Sequence, residues 1–136
     1  MSTSRNSSGQ SSLEFVTMAV LLLLVFTSFV SLFAGRQSDT LQRERQRIAI
    51  NVADTVAFEL DLALTEGEGF SRTFDLRQSI GGQDYNVTVN GTTVLLTYGE
   101  DRSVVSSTAA DNVTGDVVPG ENRVENLGGV LNVSRP

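Results

Sequence analysis

Most residue types that carry covalent or metal chemistry are missing from this 136-residue chain, which has no Cys, His, Lys or Trp. A thiol nucleophile, a disulfide, a His-based triad and a zinc site of the Cys/His kind are thereby excluded. The carboxylates Glu100, Asp101, Asp111, Asp116 and Glu121 fall in stretches that read as turns. Acids in turns are ordinarily just solvated, and no pair or loop here has the pattern of an acid/base couple or a calcium site. Phosphate-loop and dinucleotide patterns are absent as well, and Gly81-Gly82 and Gly128-Gly129 read as turns. The expectation is a chain that is not an enzyme and takes no cofactor or metal. Sixteen acids against ten Arg give a net charge of −6, and aromatics are 7 % of residues. Both numbers disfavour nucleic acid, whose recognition rests on cations and stacking rings.

One covalent modification does have acceptors. Asn86-Val87-Thr88, Asn90-Gly91-Thr92, Asn112-Val113-Thr114 and Asn132-Val133-Ser134 fit the glycosylation pattern. Four of the six Asn after residue 80 are followed two residues on by Ser or Thr, although these make up only 28 of 136 residues. That is an excess over chance. Asn-Val-Thr is also simply what a strand with a polar outer face looks like, so the pattern has a plain structural reading too. Asn86 and Asn90 share the solvent parity of their strand, where a glycan could be carried.

The elements that must position these residues begin with an apolar run. Between Glu14 and Arg36 lie 21 residues without a charge, Phe15 to Gly35. As a helix they span roughly 30 Å, the thickness of a hydrocarbon core. The run also exceeds the roughly 7 to 15 residues of a secretory signal core. No Pro or Gly interrupts residues 36–65, so the helix is expected to run from Leu13 to Thr65, about 80 Å. Gly67 and Gly69 should then stop it. At 100° per residue, Arg36, Arg43, Arg47, Asp54 and Asp61 form one stripe, with Leu41, Ile48, Val52, Val56, Leu60 and Ala63 roughly opposite. Ile50, Phe58 and Leu62 fall near the charged side and Glu59 among the apolar residues. A second surface outside the subunit could cover the three apolar residues, although imperfect amphipathicity is also ordinary.

From Phe70 the period changes from 3.6 to 2. Phe70, Phe74, Leu76 and Ile80 alternate with polar residues, interrupted by Arg72 and Gln78, and predict a half-buried strand. Tyr85, Val87 and Val89, then Asn90-Gly91, then Val94, Leu96 and Tyr98 predict a hairpin. Shorter strands are expected at 103–106, around Val117-Val118 and at 130–134. The fold class is therefore α+β: a long N-terminal helix packed on a small antiparallel β-domain that needs the helix's apolar face to complete its core.

Directly before the apolar run stands Gly9-Gln10-Ser11-Ser12-Leu13-Glu14-Phe15. This resembles the class III signal peptide of archaeal type IV pilins and archaellins, in which Gln-x-Ser-x-Glu precedes the hydrophobic helix; Gln10, Ser12 and Glu14 occupy those positions. The resemblance implies cleavage between Gly9 and Gln10 by a prepilin peptidase, with the apolar segment kept on the mature chain. It divides the chain into a leader (1–9), a transmembrane or filament-core helix (10–35), its amphipathic continuation (36–66) and an extracellular β-domain (70–136). It further implies a pilin-like subunit of a surface filament used for adhesion, assembled with copies of itself or other pilins by an ATPase and a membrane platform. Before assembly the subunit would rest in the cell membrane as a single-pass protein with its C-terminal domain outside.

The residues leave two matters open. Glu14 could pair with the new terminal ammonium of Gln10, in its own subunit or a neighbour's, or could act as a helix N-terminal acid with Ser11 or Ser12 as cap. Arg36, Arg43, Arg45 and Arg47 outnumber Arg5, and by the positive-inside rule would place the β-domain in the cytoplasm, opposite to the prepilin pattern. A different class of function, a membrane-anchored extracellular binding module that does not polymerise, fits the same anchor.

Overall fold

The computed structural model describes residues 7–136, apart from the side chains of residues 7–10 and 37–38. Helix α1 spans Ser7–Glu66. The helix is already formed at Ser7, the first described residue, upstream of the expected Leu13. It ends directly before Gly67, where the two glycines placed its stop. By compactness the chain forms two units, one ending at Leu41 and the other Gln42–Pro136.

In the second unit, Ala49, Val52, Ala53, Val56, Ala57, Leu60 and Ala63 of α1 are buried. Of the apolar stripe read from the sequence, Val52, Val56, Leu60 and Ala63 are packed, Ile48 is half-buried and Leu41 is exposed, and three alanines widen the packed face. Seven strands follow: β1 (Ser71–Leu76), β2 (Tyr85–Asn90), β3 (Thr93–Tyr98), β4 (Arg102–Ser107), β5 (Val113–Gly115), β6 (Gly120–Leu127) and β7 (Val130–Ser134). They form two sheets, ordered β1-β6-β7-β5 and β2-β3-β4. Phe74, Leu76, Val124, Leu131 and Val133 from the first and Tyr85, Val87, Val94, Leu96 and Tyr98 from the second join the helix in one core. The α+β architecture anticipated from the sequence is the one observed.

The details depart from expectation in five places. β1 stops at Leu76, and Ile80 makes only an isolated bridge with Gln83. The hairpin loop is Gly91-Thr92, since Asn90 pairs with Thr93. Gly91 has φ 55° and Thr92 does not enter the positive region, so Gly supplies the first turn position and Asn90 remains a strand residue. Val117 contributes one bridge to Val87 rather than a strand. The longest strand, β6, was not anticipated, nor was the short parallel pairing of β5 with β7.

Candidate assembly surface

In the first unit the described side chains of α1 from Ser11 to Arg36 are all exposed. Leu13 keeps 70 % of its surface, Phe15 75 % and Phe26 69 %. The helix from Ser11 is long and apolar enough to cross a membrane. Three of its hydroxyls suit an apolar surrounding: Thr17, Thr27 and Ser28 donate to the carbonyls of Leu13, Leu23 and Leu24 at 2.7–2.8 Å. A hydroxyl bonded within its own helix makes no demand on the medium. Ser12 and Glu14 are exposed just before this run. Gly9 and Gln10 fall in the first turns of α1, and their side chains lie outside the described residues.

In the second unit the outward side of α1 carries both charged and apolar groups. Phe58 is 61 % exposed and Ile50 39 %, as their position near the charged stripe implied, whereas Leu62 is half-buried. Asp54 and Asp61 are not merely solvated. Ser106 Oγ donates to Asp54 Oδ1 at 2.8 Å, and Thr108 Oγ1 and the Ala109 N–H both donate to Asp61 Oδ1 at 2.6 Å. Two acids that the sequence places only on a charged stripe thus fasten β4 and the loop after it to the helix.

Glu59, 6 % exposed, is the acid among the apolar residues. Its partner is Arg72, whose Nε lies 3.2 Å from Oε2; the contact is an ion pair without hydrogen-bond alignment. Arg72 has the same parity on β1 as the buried Phe74 and Leu76, so its guanidinium reaches the helix side.

Two buried amides hold β6, the strand that sequence periodicity missed. Asn122 Oδ1 accepts from the Val118 N–H at 2.9 Å, and its Nδ2 donates to the carbonyls of Val118 and Gly120, closing the turn before β6. Asn126 Nδ2 donates to the Ala63 carbonyl at 2.8 Å, in the last turn of α1, where carbonyls run out of helical partners. Asn126 Oδ1 accepts from Gly129 N–H at 2.8 Å, and its backbone exchanges bonds with Gly69 and Phe70. One residue therefore ties the helix end, the following turn and the β6–β7 turn together.

Of the glycosylation acceptors, Asn86, Asn90 and Asn112 are exposed and Asn132 is half-buried. Thr114, the third residue of the Asn112 sequon, lies opposite Asn132 on the paired strand and bonds its Oδ1 at 3.4 Å. A polar cleft of about 500 Å³ is lined by Gln42, Arg45, Gln83, Tyr98, Glu100, Asp101 and Arg102. Its charges are mixed, and among the described residues no group of three or more acids is placed to hold a metal. The Tyr85 phenol donates to the Arg77 carbonyl at 2.5 Å; burial, with the Asp75 carboxylate adding to it, pushes its pKa up to about 12. No protein-family model, curated protein or solved structure matches this chain, so its role has to be argued from these residues and their arrangement.

Proposed function

We propose that the chain is a pilin-like structural subunit of an archaeal type IV pilus-like surface filament. One observation carries the reading. The Gln10, Ser12, Glu14 pattern abuts an apolar run that is exposed among the described residues, and the same helix goes on to complete the core of an α+β unit. So long an uncovered apolar surface is stable only in lipid or against other apolar helices. A filament subunit meets both surroundings in turn: the membrane after processing by a prepilin peptidase, then the helices of neighbouring subunits once an assembly ATPase and platform extract it. The β-domain would then form the fibre's outer surface and carry adhesion and any glycans.

N-terminal sequencing of the mature protein tests the proposal. A start at Gln10 is expected, and Gly9→Trp should leave the leader attached. An intact leader on the mature chain would instead favour a membrane-anchored binding module, and loss of the whole apolar segment would favour a secreted one.

A further inference from the structure

Each sheet ends in two outer strands, and three of these four edges are protected against pairing with another chain. β1 carries charges at Arg72 and Asp75, the first turned toward the helix. β2 is bridged on its outer side, at Val87, by Val117. β5 has only three residues. β4 has none of these protections. Its six residues include no Pro or Gly, pair with β3 without a bulge, and carry one charge, Arg102, at the start. Val105, in the middle, is 62 % exposed.

The ladder fixes which backbone groups of β4 are free. Thr108 N–H donates to the Thr92 carbonyl at 3.0 Å, one step beyond the Thr93–Ser107 pair, so Thr92 and Thr108 are a hydrogen-bonded pair. Antiparallel ladders alternate, so Ser106, Val104 and Arg102 also turn their N–H and C=O toward β3. Ser107, Val105 and Ser103 turn theirs to the open edge, where no bond among the described residues uses them. The strand is nevertheless held in place, because Asp54 of α1 accepts from Ser106 and Asp61 from Thr108 and Ala109.

We infer that β4 pairs antiparallel with β4 of a second copy, about a two-fold axis through Val105. In that register Val105 meets Val105 and Ser103 meets Ser107, each through its outward N–H and C=O, giving about six hydrogen bonds. The exposed Val105 gains an apolar neighbour, and Arg102 falls beyond the paired residues, so no like charges oppose the contact. Neighbouring registers fit less well. An axis at Ser103 sets Val105 against Asp101, and an axis at Ser107 sets it against Ala109, whose N–H is already given to Asp61.

The same bonds give the direction of the partner. Ser106 meets Asp54 and, further along both elements, Thr108 meets Asp61, so β4 and this part of α1 run in the same sense. The axis therefore sets the two copies' helices end for end at this level, with their residue-42 ends pointing opposite ways. Copies rooted side by side in one membrane are not presented to each other like this, whereas copies from facing cells are. That source rests on the filament reading, which also repeats the edge along each fibre, so that a small contact gains strength by number. The β4 edge is thus a self-recognising site of adhesion between cells.

The test mixes two populations of cells carrying full-length variants. Val105→Lys and Val105→Glu should each reduce clumping several-fold, because the axis brings the new charge against its own copy. Mixing the two populations should restore clumping, with both kinds in each clump. Val105→Pro removes the outward N–H without touching the β3 ladder and should also reduce clumping several-fold. Melts of the purified full-length variants in detergent should match the native one, and the mixture decides even where a melt is lowered, since mixing restores only a self-contact. Normal clumping by any of the three variants alone, a mixture that stays dispersed, or native cells that never clump overturns the pairing. Filaments seen by electron microscopy in those cases leave the filament reading standing. If native cells clump and the mixture is restored but no filaments exist, the filament reading falls and the pairing stands, between single subunits of facing membranes.

Discussion

Replacing Asn126 with Ala tests whether a buried amide, rather than apolar packing alone, holds the helix to the β6 sheet. The change deletes the Nδ2 bond to Ala63 and the Oδ1 bond from Gly129, both 2.8 Å, at a residue only 2 % exposed. Leaving a buried polar partner unmatched costs about 1 to 3 kcal/mol. Two such losses, partly relieved by water at the Gly129 turn, come to about 2 to 4 kcal/mol. Against the roughly 5 to 15 kcal/mol that stabilises a typical domain, this is a large fraction. The assay is a urea melt of a fragment of residues 42–136, which contains the whole core. With a slope of about 1 to 1.5 kcal/mol per molar urea, the midpoint should fall by about 1.3 to 4 M. Asn90→Ala, at an exposed strand end, is the control and should stay within about 0.5 kcal/mol. If the two variants melt together, the bonds of Asn126 are not what secures the helix end.

Three further outcomes follow from other parts of the molecule. Val52→Ala, at a position 5 % exposed, should destabilise the same fragment by about 2 to 3 kcal/mol, whereas Phe58→Ala should cost under about 1 kcal/mol yet reduce filament number by electron microscopy. Equal destabilisation by the two would assign Phe58 to the fragment's own core. The raised pKa of Tyr85 means that its neutral form is favoured in the fold: its contribution is intact below about pH 10 and is lost as pH climbs through about 12. Melts at stepped alkaline pH should show that loss in the native sequence and not in Tyr85→Phe; parallel curves would refute it. Glu14→Ala should insert into membranes at least as well as the native chain while entering filaments less often, as fractionation and microscopy would show; normal filament numbers would return Glu14 to the role of a helix N-terminal acid.

Much of the fold could be read from periodicity. The helix, its glycine stop, the β2–β3 hairpin and β7 each follow from local pattern and turn residues. β6 escaped because its inward positions are Gly120, Asn122, Val124 and Asn126, a polar set buried by hydrogen bonding rather than by hydrophobicity. The bonds of Asp54 and Asp61 could not be read for the converse reason: a solvated acid and one that accepts bonds from a distant strand have the same sequence pattern. Glu59 and Arg72 are more instructive. Each breaks an apolar face, one in the helix and one in β1, and the two breaks are the halves of a single ion pair. Considered separately they were noise. The Gln10, Ser12 and Glu14 pattern on which the filament proposal rests is contiguous and needs no tertiary structure to be seen.

The attachment of α1 to both sheets also has a mechanical side. Asp54 and Asp61 fasten the helix to β4 and its loop, and Asn126 fastens it to β6, all within residues 54–63. A tensile load entering through residues 42–48 would have to slide this stretch past its sheets. The fasteners then carry the load together in shear rather than parting one after another as a zipper does. A β-domain held this way can be towed by its helix without being peeled from it, and when it yields, it should do so in a single step.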